Sequence, residues 1–351
     1  MIDSTDNAHD QVLLANAEEA ERRDRLTPES VGALRHGRAL ALRTPAQYGG
    51  LWTDASAVAR RLTELGRFCP SAAWVAGTCA TAKTFFAQNF DDRVHNEYFA
   101  DPDALACGSG VPGGRGERVA NGVRVSGGWE TISGCEDADW AQLALFIDGA
   151  YHVVVVAVAD LTVERNWHMA GMRGTASQRL VADRLLVPTH QTAPAAPPPL
   201  RDRLFFGLCT LAPVLGATQG ALTVIEEMFA SDRKPYMTSY ASMGESPGAR
   251  HWLARAAHLV DRAGQTMSAV AHGSEREDLT DLDCTRLQMS LTSAARDCRE
   301  AIDHMLDLHG ASGFRMTNAL QRYWRDVTVS SRHPLLNPYL ATENLGTALV
   351  P

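Results

Sequence analysis

Three short segments of the sequence place polar side chains where packing alone would not need them. Segment 129–140 leaves one predicted strand, turns at Ser133 and enters the next strand between two tryptophans. Segment 322–338 brings His333 to the end of a predicted helix beside aromatic residues. Segment 167–177 is a predicted turn that carries glycines, an arginine and two hydroxyl side chains, namely Arg173, Thr175 and Ser177. Such a turn offers backbone and side-chain hydrogen-bond donors to a heteroaromatic ligand.

Each segment also has a purely structural interpretation. Trp129 could simply fill the core, and Ser133 could start nothing more than a tight turn. His333 could be a helix-end residue that the helix dipole favours. Arg325 and Asp326 could form a surface pair that contributes well under about 1 kcal/mol. The joint occurrence of the three segments in one chain favours a ligand site, and both interpretations stay open at this point.

Common cofactor and metal motifs fail on their context. Residues 108–113 match the glycine pattern of dinucleotide-binding loops, but Pro112 and further glycines stand where that motif needs the start of a helix. His251 and His258 could share a helix face, but they lack the cysteine or carboxylate neighbours that a metal site needs. We therefore expect neither a Rossmann-type site nor a metal.

Composition limits the class of protein. The chain has 351 residues, 45% of them hydrophobic, and a net charge of −8. These values are typical of a globular protein and argue against binding to nucleic acid or to an anionic membrane. The seven cysteines are scattered without a C-x-x-C pair, as expected for reduced thiols in the cytoplasm. The acidic start, residues 1–6, predicts no signal peptide, and the uncharged stretch 204–225 predicts a buried core helix rather than a membrane span.

Periodicity divides the chain into three parts that must position the three segments. Residues 1–104 are predicted to be a helical domain. Residues 105–192 switch to short strands, with a hairpin signal at Asn121-Gly122, and suit a small antiparallel sheet or barrel. Residues 193–351 begin with a stiff proline-rich linker, 193–199, and continue as long helices typical of an antiparallel bundle. The predicted strands beyond the hairpin are 140–146, 151–158 and 179–187. The clearest apolar helix stripe is Leu287, Leu291, Ala294, Cys298, Ile302, Met305 and His309.

Five ordered stretches resemble the acyl-CoA dehydrogenase superfamily, and in particular its flavin-dependent monooxygenases of the two-component, group D type. The stretches cover nearly the whole chain and comprise 43–50, 69–74, 126–134, 167–175, and 321–326 with His333 and 337–338. The resemblance implies a mostly α fold with a central β-barrel between an N-terminal helical domain and a C-terminal four-helix bundle, usually as a tetramer. In such proteins the flavin ring lies between barrel and bundle, and a separate reductase supplies it reduced. Oxygen then adds at flavin C4a, and the resulting hydroperoxide transfers one oxygen atom to the substrate.

The resemblance also implies roles for individual residues. A dehydrogenase of this superfamily needs a carboxylate base over the flavin, but no Asp or Glu lies between Asp326 and Glu343. The imidazole of His333 instead resembles the monooxygenases, where it would bond the peroxide or act as an acid or base with a pKa near neutral. Ser133 matches a hydroxyl near flavin N5 that would stabilise the oxygen adduct. The other implied flavin contacts are Trp129, Thr131, Arg173, Thr175, Ser177 and, reaching the phosphate from a neighbouring subunit, Arg233.

Two departures from the family pattern leave the reaction open. Glu136-Asp137 stand where many hydroxylases of this branch have Asp-His, and Ala82, beside Lys83, stands where a histidine is often found. Those histidines commonly help to deprotonate a phenolic substrate. Asp137 is therefore expected to replace one of them as a base, to recognise an amine, or to be an ordinary surface residue.

The sequence thus predicts a reduced-flavin-dependent monooxygenase that oxygenates a polycyclic aromatic or another secondary metabolite. Reduced FMN is the expected cofactor, with FADH2 as the alternative, and molecular oxygen is the co-substrate. Other possibilities are an N-hydroxylase of an amine or amino sugar, a flavin oxidase or dehydrogenase with another base, and a degenerate homologue that binds flavin without turnover. We expect catalytic roles for His333, Ser133 and Asp137, a flavin reductase as partner, a homotetramer or homodimer, and a cytoplasmic location.

Overall fold

The computed structural model describes residues 4–196 and 198–350, with residues 4–7 described by their backbone alone. Residues 1–3 of the predicted acidic start and Pro197 of the predicted linker lie outside the described residues. The chain forms two compact units. Unit 1 consists of Met1–Asp54, Trp74–Met169 and Arg173–Pro199, and unit 2 of Ala55–Ala73, Ala170–Met172 and Leu200–Pro351. The three-part division at residues 104 and 192, which follows periodicity instead of contacts, stays a prediction.

Helices flank a run of strands, as the sequence predicts. The helices are α1 (Ser4–Arg22), α2 (Pro28–His36), α3 (Ala55–Phe68), α4 (Pro70–Asn89), α5 (Asp92–Tyr98), α6 (Leu200–Ala230), α7 (Pro247–Ser274), α8 (Asp281–His309), α9 (Ala319–Ser330) and α10 (Pro338–Leu349). The strands are β1 (Ala106–Val119), β2 (Gly122–Ile132), β3 (Trp140–Ile147), β4 (Ala150–Ala157), β5 (Thr162–Glu164), β6 (Gln178–Val187) and β7 (Thr192–Pro194). The predicted strands 140–146, 151–158 and 179–187 correspond to β3, β4 and β6.

The strands of unit 1 form one seven-stranded sheet in the order β5-β6-β2-β1-β3-β4-β7. Strands β1 and β3 run parallel, and the other neighbours are antiparallel. In the described residues this sheet is open, whereas the strand pattern predicted a small antiparallel sheet or barrel and the family resemblance implied a central β-barrel. Both edge strands span only three residues, and Pro194 at the β7 edge has no N–H to donate to a further strand. Strand β7 also takes up the first residues of the predicted linker.

The hairpin predicted at Asn121-Gly122 joins β1 to β2, with Val119 paired to Gly122 across a two-residue turn. Gly122 has φ +151°, and a Cβ there would lie 2.2 Å from the carbonyl oxygen of Val187 on the neighbouring strand. The two turn residues are Ala120 and Asn121, and Gly122 begins β2, where its positive φ and the close approach of β6 require glycine. The glycine-rich residues 108–113 lie within β1, so no helix follows them and they do not form a dinucleotide-binding loop.

Long helices form the core of unit 2. The apolar stripe predicted on α8 is buried from Leu291 to His309, and Gly310 ends the helix with φ +76°. Helix α3, which lies within the predicted N-terminal domain, packs on α6 in this unit. A Cβ at Gly216 of α6 would lie 2.3 Å from the carbonyl oxygen of Thr63, so glycine lets the two backbones meet.

Helix α6 is long and apolar enough to cross a membrane by length and composition, and 78% of its most apolar window is buried inside the protein. It carries Pro213 and Gly216 in a fully buried stretch that contacts α3, α7, α8 and α9 of the same unit. This burial is what a core helix of a folded protein shows, as predicted for residues 204–225.

Candidate functional site

The turn after strand β2 brings three hydroxyl side chains together in unit 1. The Oγ atoms of Ser133 and Ser177 are 2.8 Å apart, and Ser177 Oγ is 2.7 Å from Thr175 Oγ1. The backbone N–H of Gly134 donates to the carbonyl oxygen of Thr175 at 2.7 Å, which joins the turn to segment 167–177. The structure therefore brings together Ser133, Thr175 and Ser177 from two of the three predicted segments.

Burial differs along this hydroxyl chain. Thr175 and Ser177 are buried, with exposed fractions of 1% and 3%, whereas Ser133 is half-buried. Buried hydroxyls need hydrogen-bond partners, and here the hydroxyls supply them to one another. Ser133 is consequently the member of the chain whose oxygen can also reach a ligand.

Backbone strain marks the same place. Thr131 has φ +58° and Ala176 has φ +43°, although neither is glycine. A β-branched residue in the left-handed region is an outlier that costs of order 1–3 kcal/mol and persists only where the surroundings demand it. Such residues cluster at ligand sites. Thr131 donates through Oγ1 to the carbonyl oxygen of Glu130 at 2.7 Å, and its side chain is exposed.

Trp129 lies in the core of the sheet. Its indole is 1% exposed, and Nε1 donates to the carbonyl oxygen of Ala144 at 2.6 Å. A Cβ at Gly113 or Gly114 would clash with this ring, so β1 is built around it. The side chain therefore has the packing role that the sequence left open, and the implied flavin contact of Trp129 stays a prediction.

The charged candidates of unit 1 have protein partners. The carboxylate of Asp137 accepts from Arg25 Nε at 3.0 and 3.1 Å and from the Arg25 terminal nitrogen at 2.5 Å. This hydrogen bonding raises the pKa of Arg25. Arg173 donates from Nε to Asp24 at 2.5 Å, and that bond raises the pKa of Arg173. Both ion pairs join the connection after α1 to the turns that carry Asp137 and Arg173. For Asp137 this is a structural role.

His333 belongs to unit 2, at the start of the short helical turn Pro334–Leu336. Its Nδ1 accepts from the backbone N–H of Leu335 at 3.3 Å, so the ring proton resides on Nε2. Burial of the ring lowers the pKa of His333 to about 4. The near-neutral pKa expected from the sequence is therefore wrong, because desolvation disfavours the charged imidazolium. His333 is neutral at pH 7.

Arg233, also in unit 2, bonds residues of its own chain. Its guanidinium contacts the ring of His309 at 3.0 Å, the hydroxyl of Ser312 at 3.0 Å and the His309 carbonyl oxygen. Burial, with the nearby guanidinium as the next cause, lowers the pKa of His309. The predicted contact of Arg233 with a phosphate on a neighbouring subunit stays a prediction.

Helix α4 contributes Trp74 to the site in unit 1 and carries a buried cation, Lys83. Trp74 donates from Nε1 to Ser133 Oγ at 3.1 Å. Lys83 is fully buried, and its Nζ donates to the carbonyl oxygens of Leu40 at 2.8 Å and Pro102 at 2.9 Å and to Thr44 Oγ1 at 3.0 Å. No role was predicted from the sequence for either residue. The only sequence signal for Trp74 was its place in stretch 69–74.

Segment 170–172 docks on α9 within unit 2. The backbone N–H of Met172 donates to Asp326 Oδ1 at 2.5 Å, and Arg325 donates to the carbonyl oxygen of Ala170 at 2.6 Å. A Cβ at Gly171 would lie 2.3 Å from the carbonyl oxygen of Arg325. Gly171 and Asp326 therefore fix one end of segment 167–177, and the Asp326 carboxylate has a structural partner.

Comparisons with known proteins identify what the chain is similar to. Residues 208–338 match the family described as acyl-CoA dehydrogenase, C-terminal domain. A pigment production hydroxylase from Rhodococcus sp. is 30% identical over 336 residues, covering 88% of this chain and 85% of the relative. The oxygenase component of an FADH2-dependent resorcinol hydroxylase from Rhizobium sp. is 27% identical, covering 92% and 87%. XiaF from Streptomyces sp., solved with FADH2 and glycerol, matches with a TM-score of 0.90 and 27% identity, covering 98% of this chain and 93% of that chain.

Proposed function

Because the chain belongs to the flavin-dependent monooxygenases that share the acyl-CoA dehydrogenase fold, we propose that it is the oxygenase component of a two-component system that hydroxylates an aromatic substrate. The observation that carries this proposal is the chain of hydroxyls from Thr175 through Ser177 to Ser133, which ends at a half-buried oxygen beside strained backbone. Two relatives that match nearly the whole chain support it, since the resorcinol hydroxylase is described as FADH2-dependent and XiaF was solved with FADH2.

The residues of the Ser133 turn fit a reduced flavin. A flavin ring presents nitrogen and oxygen atoms that need directed partners, and a serine hydroxyl can donate or accept. Bound reduced flavin would supply the electrons that activate oxygen for transfer to the substrate. Ser133 would bond a heteroatom of the flavin ring. Thr131 and Ser177 would shape the site around Ser133, and Arg173 would remain charged beside that site. FADH2 is favoured over reduced FMN, because both the resorcinol hydroxylase and XiaF are described with FADH2.

His333 would serve as a neutral hydrogen-bonding group. With a pKa of about 4 it carries one ring proton at pH 7, and Nε2 can donate that proton while Nδ1 is held by Leu335. A neutral imidazole donor orients an oxygen atom without placing a full charge beside that atom. The expected effect of its loss is therefore weaker positioning of oxygen and substrate, with flavin binding retained.

The alternatives from the sequence are less favoured. A dehydrogenase needs a free carboxylate, and Asp326, the last one before Glu343, accepts the backbone N–H of Met172. An N-hydroxylase that anchors an amine on Asp137 would have to displace Arg25 from a bidentate ion pair. A degenerate homologue that binds flavin without turnover would keep the hydroxyl chain as well, and a measurement of turnover separates it from an oxygenase.

The finer expectations extend this proposal. We extend the proposal to a polycyclic aromatic substrate of secondary metabolism and to a cytoplasmic location. A separate reductase is supported by the likeness to the resorcinol hydroxylase, which is described as an oxygenase component. Assembly as a homotetramer or homodimer is supported by exposed aromatic and thioether side chains beside Arg233, since Tyr236 is 91% and Met237 89% exposed. Large exposed apolar side chains in one loop commonly mark an interface.

Oxygen labelling tests the reaction class. The protein is incubated under ¹⁸O2 with a flavin reductase, NADH, either FAD or FMN, and a panel of phenols and polycyclic aromatics. The product masses are then measured by mass spectrometry. Incorporation of one ¹⁸O atom per product is expected. Oxidised products without label would show an oxidase or dehydrogenase, and consumption of reduced flavin at the protein-free rate would show a degenerate homologue.

A further inference from the structure

The hydrogen bonds around Ser133 indicate a role for Trp74. A serine oxygen has one proton and two acceptor positions. The indole N–H of Trp74 can only donate, so its 3.1 Å bond always occupies one acceptor position of Ser133. One acceptor position and one proton remain, and they must be divided between Ser177 and a ligand.

The two bonds beyond Ser133 each join two hydroxyl groups whose geometry does not fix the donor. Both the Ser133–Ser177 and the Thr175–Ser177 bonds join two hydroxyls, and either oxygen of each pair can be the donor. In one arrangement protons point from Thr175 towards Ser133, which leaves the Ser133 proton for a ligand. In the other they point away from Ser133, which leaves its second acceptor position for a ligand.

We propose that Trp74, Ser177 and Thr175 form a positioning network that holds the Ser133 oxygen in place and lets its hydroxyl accept from a reduced flavin and donate to an oxidised one. The inference rests on the proposed function and extends it from a single serine to a reversible chain. The flavin ring nitrogen N5 carries a proton in the reduced form and none in the oxidised form, so one partner must serve both. Reversal rotates hydroxyls only, and no proton leaves the chain.

The two kinds of partner have separable effects. Ser177→Ala removes the acceptor for the Ser133 proton, which matters when Ser133 must accept from reduced flavin. A buried donor without a partner costs more than an acceptor position left empty. The variant should therefore bind reduced flavin about three- to tenfold more weakly relative to oxidised flavin. Trp74→Phe removes a donor that serves both forms, so it should weaken both equally and leave their ratio unchanged.

The experiment measures dissociation constants of oxidised FAD in air and of FADH2 under anaerobic conditions for wild type and both variants. Ser274→Ala is the matched control, since that serine is also buried and donates to the Ala271 carbonyl at 2.8 Å in unit 2. In the flavin-free protein, ¹⁵N-indole spectra add a second readout. The Trp74 N–H signal should move in Ser133→Ala and stay in place in Ser274→Ala.

Each outcome decides a separate point. A changed ratio in Ser177→Ala together with an unchanged ratio in Trp74→Phe supports the network. Three results would overturn the network and leave the proposed function standing. They are an unchanged ratio of the two dissociation constants in Ser177→Ala, equal changes of that ratio in both variants, and a Trp74 indole signal that does not move in Ser133→Ala. Failure of the wild-type protein to bind either flavin would overturn the proposed function and this inference with it.

Discussion

Replacement of Lys83 by methionine should measurably destabilise unit 1. Lys83 and Lys234 are the only lysines in the sequence, and Lys83 has no exposed surface. Its ammonium group uses its three protons on the Leu40 and Pro102 carbonyl oxygens and the Thr44 hydroxyl. Burial lowers the pKa of Lys83, because no water solvates the charged form.

The size of the effect follows from opposing terms. Hydrogen bonds from a charged donor contribute roughly 1.5–3 kcal/mol each. Thr44 Oγ1 also donates to the Pro102 carbonyl at 2.8 Å, so those two groups keep each other as partners in the variant. The loss of the charged bonds to Thr44 and Pro102 is offset by the several kcal/mol of ammonium desolvation that methionine avoids. The buried Leu40 carbonyl oxygen loses its strong donor without replacement, which costs about 1–3 kcal/mol. The net expectation is a loss of about 2 kcal/mol in the free energy of unfolding.

Urea unfolding of wild type, Lys83→Met and the exposed-site control Lys234→Met measures this loss. Between the lowered pKa of folded Lys83 and about 10.4, the unfolded chain binds more protons, so wild type should gain stability over Lys83→Met as pH rises. An amine-reactive ester should label Lys234 in the native protein and Lys83 only after unfolding. Equal stability of the two variants, or labelling of Lys83 at the rate of Lys234, would refute the reasoning.

Four further outcomes are expected. Wild type should lose stability as the pH falls from 6.5 to about 4, since the folded protein excludes the imidazolium of His333. This loss should be smaller in His333→Asn, and an unchanged pH profile would contradict the expectation. His333→Ala should lower turnover while flavin binding persists, and full turnover would contradict its role. Asp137→Asn should cost about 1 kcal/mol through its pair with Arg25 and leave flavin affinity unchanged; loss of flavin binding would restore its candidacy as a site residue. Gly171→Ala should destabilise the protein by about 1–3 kcal/mol, because its Cβ would meet the Arg325 carbonyl oxygen, and wild-type stability would refute that close packing.

Periodic and local features were predictable from the sequence. The stripe on α8 follows from steps of three and four residues, and the hairpin at Asn121-Gly122 follows from turn chemistry. The Ser133 turn and segment 167–177 were found because their residue types suit ligand binding. These features depend on residues that are near each other in the chain, so they can be recognised in the sequence without knowledge of the fold.

Features that depend on burial or on distant partners were not predictable. The low pKa of His333 comes from desolvation of its ring, which its neighbours in sequence do not reveal. Lys83 is satisfied mainly by backbone carbonyl oxygens, which leave no sequence signature. The partner of Asp137 is Arg25, more than a hundred residues earlier. The open sheet depends on the very short edge strands β5 and β7, which carry no alternating pattern long enough to detect.

In the proposed function, the turn that carries Ser133 binds reduced flavin and directs its reaction with oxygen. The most direct test mixes the anaerobic complex of the protein with FADH2, or with reduced FMN, into oxygenated buffer and follows the flavin spectrum in a stopped-flow instrument. We predict that oxidised flavin appears more slowly than from free reduced flavin, and that Ser133→Ala shortens the delay while Ser274→Ala keeps it. Reoxidation at the free-flavin rate in the wild-type protein would contradict the claim.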